Sequence, residues 1–121
     1  MLWLNGHTHT NAIHARPDPA DPNRGFWEVT TCAVVDWPCQ TRIVELVDRG
    51  DYLSVVTTMV DHDSPLGPGR LQTADELAAL HRELAANIPW GTSAAMAGEA
   101  GDRNTELRIA PPFPLSRLRG A

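Results

Sequence analysis

Residues 73–88 alone carry the spacing of an amphipathic helix; every other apolar run is short and interrupted by Pro, Gly or Asp. A chain patterned this way is confined to a mostly β architecture with one late helix. Thr73-Ala74-Asp75-Glu76 has the form of a capping box, in which the threonine oxygen accepts from a free amide at the helix start and the glutamate reaches back. Leu77, Leu80, Leu84 and Ile88 then repeat at helical spacing as one apolar stripe, and Asn87 and Pro89 close it. His81 borders that stripe and reads as a boundary residue.

The strand signals come earlier. Met1-Leu2-Trp3-Leu4 is a short apolar run read as a buried strand, and Phe26 to Val35 places Trp27, Val29, Thr31, Ala33 and Val35 on one phase. Ile43-Val44-Glu45-Leu46-Val47 and Leu53 to Val60 flank Asp48-Arg49-Gly50-Asp51, whose polar residues and glycine suit a hairpin tip. That placement explains Arg49-Gly50-Asp51 better than an adhesion tripeptide does. Ala15 to Gly25, with Pro17, Pro19 and Pro22, is expected to break from strand and helix alike. Gly91 to Gly101 is dominated by small residues and reads as irregular, ahead of a short extended piece at Leu107-Arg108-Ile109 and a proline-rich tail. The fold class expected is α+β, with residues 1–65 holding the strands and hairpin and 66–121 the linker, helix and tail.

Composition narrows the partners. A formal charge of −5 argues against a nucleic-acid surface, which needs a concentrated basic face. All the basic residues are arginines, which suits a GC-rich genome and says little about chemistry. Cys32 and Cys39 lack Cys-x-x-Cys spacing and read as small packed residues. No apolar run approaches the ~18–20 residues of a membrane span, and no signal-peptide pattern opens the chain. Localisation stays open.

The chemistry concentrates near the start. In extended backbone, residues i and i+2 project to one side, so His7 and His9 of Gly6-His7-Thr8-His9 would present two imidazoles beyond the first strand, with Gly6 free to turn sharply. Imidazole suits Zn, Fe, Mn, Cu or Ni. The bland explanation is a chance pair in a solvated loop, because a structural zinc site takes four ligands. Asp61, His62 and Asp63 are a second polar cluster whose alternating aspartates could share a cation, against the commoner reading of a solvated strand end. Trp27 and Trp37 could line a cleft, yet aromatics in strands more often pack against neighbours.

Gly6-His7-Thr8-His9 behind an apolar strand resembles the Gly-His-x-His motif of calcineurin-like metallophosphoesterases. Phe26-Trp27-Glu28-Val29-Thr30-Thr31, Val34-Val35-Asp36-Trp37-Pro38, Met59-Val60-Asp61-His62-Asp63-Ser64-Pro65 and Asp102-Arg103-Asn104-Thr105-Glu106-Leu107 extend the resemblance, to an actinobacterial subfamily, over nearly the whole chain. The resemblance implies the carboxyl-terminal part of a four-layer α/β/β/α sandwich. It also implies two divalent or trivalent ions (Mn, Fe or Zn) held ~3.5–4 Å apart, close enough to clamp both oxygens of an in-line displacement on a phosphate ester. His7 would bind one ion and His9 the other, and His14 could approach the substrate phosphate, although an exposed loop histidine is its simpler explanation. The subfamily commonly carries a twin-arginine export signal.

The family's other ligand motifs, Asp-x-His, Gly-Asp-x-x and Gly-Asn-His, belong ahead of Gly-His-x-His. Gly50-Asp51 and Gly101-Asp102 come after it and read as turns, and Asp61-His62-Asp63 ends in aspartate where histidine is required. Two imidazoles without a bridging carboxylate cannot assemble the binuclear centre, so the chain alone is expected to be inactive. Uncovered sheet edges and the apolar face of Leu2, Trp3 and Leu4 are expected to favour self-association. The alternative is a small non-catalytic β-rich module that binds a partner and has at most a weak metal site.

Overall fold

The computed structural model describes residues 1–21, 24–64, 67, 70–89, 94–111 and 113–117. Trp90, Gly91 to Ser93 at the start of the expected irregular stretch, and the end of the tail lie outside the described residues.

Six short strands form where β-branched and aromatic residues cluster. Strands β1 (Leu2–Asn5), β2 (Ala12–Pro17) and β3 (Gly25–Thr30) make one three-stranded sheet in the order β1-β3-β2. Strands β4 (Thr41–Asp48), β5 (Leu53–Val60) and β6 (Thr105–Ile109) make the second, in the order β4-β5-β6. β1 runs parallel to β3, pairing Leu2 with Trp27 and Leu4 with Val29. β2 runs antiparallel to β3, and β5 is antiparallel to both its neighbours. The architecture is α+β and mostly strands, with helix α1 (Ala74–Ala86) followed by the single turn α2 (Ala94–Ala97).

Alternation along the strands builds the core. Val29 from the first sheet meets Val55 and Leu107 from the second, and Leu2, Ile13, Trp27, Val44 and Ile109 pack around them. Side chains at every second position point to one face, so this apolar set turns inward while Trp3, Phe26, Glu28 and His14 share the opposite face of the first sheet. The Trp27 indole N–H donates to the Arg108 carbonyl at 3.0 Å and ties the two sheets together at their exposed margin.

The hairpin and the helix start are local features, and both form as the sequence predicts. β4 and β5 pair from Thr41↔Val60 to Asp48↔Leu53, and Gly50 at the tip takes φ +95°, a left-handed conformation that glycine adopts freely. Thr73 caps α1, its hydroxyl accepting from the Glu76 amide at 3.2 Å. The Glu76 carboxylate accepts from the amides of Gln72, Arg70 and Thr73, and those bonds hold its pKa below the ordinary value. Asn87 is the C-cap, and the extended piece at Leu107–Ile109 is part of β6.

Four expectations are corrected. β1 is an edge strand rather than a buried one, with Trp3 58% and Leu4 52% exposed. β2 runs through Ala15, Arg16 and Pro17, because an edge strand has one unpaired side on which a missing proline N–H costs nothing. β3 stops at Thr30 rather than Val35. Thr31 N–H makes a last bond to the Asn5 carbonyl, and beyond it Cys32 N–H donates to Asn11 Oδ1 at 3.0 Å and Cys39 N–H to the Asp36 carbonyl, so the chain up to Gln40 forms a loop that leaves Val34 and Val35 exposed.

The fourth concerns α1. Leu77 and Leu84 of the expected stripe are largely exposed, and the helix buries Ala79 and Ala85 instead. Leu77 borders an open groove of about 630 Å³ shared with Val34, Val35, Cys39, His62 and His81. Cys32 and Cys39 are buried free thiols, in keeping with their reading as packed residues, and burial pushes the Cys39 thiol pKa up. No helix among the described residues is long and apolar enough to cross a membrane.

Candidate metal centre

The parallel pairing of β1 with β3 brings two chain segments to one end of the first sheet. Parallel strands finish at the same edge, so the segment after Asn5 and the segment after Thr30 emerge side by side. β2, antiparallel to β3, begins there with Ala12. Ligand sites in open sheets favour such an edge, beyond the carboxyl ends of parallel strands.

His7 and His9 occupy this edge, but not in extended backbone. Residues 6–9 close a tight turn in which His9 N–H donates to the Gly6 carbonyl at 3.2 Å. The left-handed residue is His9, at φ +55°, and not Gly6, so the sharp turn does not draw on glycine's freedom. Histidine is among the residues that tolerate this region better than β-branched ones. The i, i+2 argument therefore fails here. His7 is exposed and without a hydrogen-bond partner among the described residues.

His9 has a partner the sequence did not announce. Its Nδ1 contacts Oδ2 of Asp36, which stands in the loop after β3, and the two side chains are 40% and 42% exposed. Asp36 lies within a stretch singled out for family resemblance, yet 27 residues separate it from His9, and no local spacing rule links such a pair.

Behind the turn the chain is fixed by buried polar contacts. Asn11 is 1% exposed, and its N–H donates to the Met96 carbonyl at 2.9 Å while its side-chain amide donates to the Ala97 carbonyl at 3.3 Å. Its Oδ1 accepts from Cys32 N–H and from Arg42 Nη2. The Arg42 guanidinium also donates to Thr31 Oγ1 and to the carbonyls of Thr30, Asp102 and Arg103, and burial lowers its pKa. This junction anchors the turn from which His7 and His9 project.

The remaining candidates do not converge with them. His14 is exposed on β2, opposite Glu28, whose carboxylate is taken by Arg16 at 2.7 Å and by Asn5 at 3.2 Å. The Arg16 bond is the main reason the Glu28 pKa falls below its ordinary value. Asp61 and Asp63 are exposed, and Asp61 accepts from Gln40 Nε2 at 3.1 Å. Both ring nitrogens of His62 are shielded from water without a hydrogen-bond partner among the described residues. Trp27 packs between the sheets, against the core cluster.

Among the described residues, no group of three or more His, Cys, Asp or Glu side chains converges to hold a metal. What stands at this edge is two imidazoles on one turn, one of them against the Asp36 carboxylate. This set does not fit a closed structural site, which needs four ligands. Comparisons with protein-family models, with curated proteins and with solved structures found no match.

Proposed function

We propose that this chain is the carboxyl-terminal part of a calcineurin-like, metal-dependent phosphoesterase, supplying His7 and His9 to a dimetal centre. The bridging carboxylate and the other ligands would come from sequence outside these 121 residues, as would the strands that complete a four-layer α/β/β/α sandwich. The observation that supports this reading most is the siting of the Gly6–His9 turn beyond the carboxyl end of β1, beside the segment that leaves β3. Two ions (Mn, Fe or Zn) at such a centre make hydroxide available near neutral pH and neutralise charge on a phosphate ester. The part of this chain is to hold the two imidazoles: the Asn11–Arg42 junction fixes the start of β2, and the turn between β1 and β2 carries the rings outward. His14, on the outer face of β2, is the weaker proposal, a contact to substrate phosphate.

The test uses the chain alone and the chain extended with in-frame upstream coding sequence. Without preorganised partners the 121-residue chain should bind Zn or Mn weakly, His7→Ala and His9→Ala should each lower that affinity by about tenfold, and no hydrolysis of an aryl phosphate should exceed buffer. The extended chain should gain chelator-sensitive hydrolysis that either substitution abolishes. Chelator-sensitive turnover by the short chain, or metal content in the extended chain that survives loss of both histidines, would overturn the assignment.

The second reading is a small non-catalytic β-rich module that binds a partner and has at most a weak metal site. Trp3, Leu4, Val34, Val35, Ile43 and Leu46 are all at least half exposed, and β1, β2, β4 and β6 are sheet edges. As a fragment, the isolated chain should self-associate through these surfaces. A monodisperse, cooperatively unfolding monomer in sedimentation velocity and thermal melts would contradict this and favour the module.

A further inference from the structure

The geometry points to Asp36 as a positioning residue for His9, one that selects which ring nitrogen is offered to a metal; this inference rests on the proposed metal centre. A neutral imidazole carries one proton, and the nitrogen without it is the only one that can ligate. Asp36 Oδ2 lies against His9 Nδ1, and a carboxylate at neutral pH accepts but does not donate, so the proton belongs on Nδ1. That leaves the Nε2 lone pair free, on the far side of the ring from Asp36. A carboxylate behind a ligating histidine fixes ring orientation and tautomer and raises the basicity of the donor nitrogen.

Three features of the fold hold the pair in register. His9 is turned by its own left-handed backbone and by the 3.2 Å bond that closes the turn on Gly6. Asp36 is held by the short turn in which its carbonyl accepts from Cys39 N–H at 2.6 Å. The two loops are brought together by the parallel β1–β3 pairing and by Thr31 N–H donating to the Asn5 carbonyl at 2.9 Å. His7, two residues away, has no such carboxylate among the described residues, so the two imidazoles are unequal donors. His9 is the preoriented one.

The experiment reads the tautomer first, by two-bond proton–nitrogen correlation on the ¹⁵N-labelled, metal-free 121-residue chain at pH about 8, above the ordinary imidazole titration. His9 should carry its proton on Nδ1, whereas His7 should favour Nε2–H like a free side chain. In Asp36→Ala the His9 pattern should revert to that of His7, and Asp36→Glu should restore it in part. Zinc added to the same samples should shift His9 Nε2, with affinity about tenfold weaker for Asp36→Ala. An Nε2–H tautomer for His9 in the unsubstituted chain overturns the inference without recourse to any variant, so a misfolded Asp36→Ala cannot hide the answer. Equal zinc affinity in the unsubstituted chain and Asp36→Ala overturns the positioning role while leaving the metal centre standing. The expected tautomer with no zinc response at either His9 or His7 overturns the metal centre itself, and the role of Asp36 with it.

Discussion

His9 and Asn11 are two residues apart and sit in opposite environments. Asn11 is sealed into the molecule, with its N–H, amide and Oδ1 all committed to protein partners, while His9 stands at a half-exposed turn with one ring nitrogen held and the other unengaged among the described residues. A buried polar group left unsatisfied costs roughly 1–3 kcal/mol, so the Asn11 site is expected to tolerate almost no change. The His9 turn carries no comparable penalty. The contrast separates rigidity from binding: the neighbour fixes the backbone, and the turn can keep a strained residue and a free donor because the neighbour does so.

The largest effect should come from removing the arginine that completes the junction. Arg42→Ala would strip the donor from Asn11 Oδ1, Thr31 Oγ1 and three backbone carbonyls at once, and should destabilise the chain by about 3 kcal/mol in urea unfolding. If the contrast is real, the native fraction of this variant should still show the His9 tautomer set by Asp36. A loss below about 1 kcal/mol would show that water replaces the guanidinium and that the junction is not the anchor.

Next in size is Gly98→Ala. Gly98 has φ +71°, and an added Cβ would fall 2.5 Å from the Asn11 carbonyl and 2.9 Å from Asp102 Cβ. Backbone strain and overlap together should cost about 2 kcal/mol, read as a lower midpoint in the same unfolding experiment. The smallest effect should be at the turn. His9→Gly removes the side chain where φ is +55°, so stability should stay within about 1 kcal/mol of the unsubstituted chain, while zinc affinity falls by about tenfold. Loss of stability comparable to Gly98→Ala would make His9 a structural residue and erase the contrast.

What the sequence disclosed of this arrangement follows sequence distance. The β4–β5 hairpin and the Thr73 capping box are set by residues within a few positions of each other, and both were legible. The insertion of β3 between β1 and β2 was not, since it depends on which faces find one another in space. Apolar character also misled where it ran on unbroken. Val34 and Val35 continue the β pattern of the preceding strand, yet Asn11 captures the Cys32 amide and ends the ladder, and nothing near Thr30 signals that event. In α1 the leucines drew the expected stripe while the alanines are the residues buried. At the candidate site the two histidines could be named by residue type alone, the i, i+2 spacing argument failed because residues 6–9 form a turn, and Asp36 could be matched to His9 only once β1 and β3 lay parallel.

β6 pairs with β5 across a long reach of chain: Thr57 lies opposite Thr105, 48 residues later, and Leu107 of β6 is one of the buried core residues. The hairpin can close as soon as it is synthesised, but its second edge stays open until Thr105–Ile109 has emerged. Closing so wide a loop costs entropy before any burial offsets it, so docking of β6 is the step expected to pace assembly of the second sheet. A nascent chain halted before Thr105 would present β5 as an unpaired template, at the stage of synthesis when chaperone cover matters most.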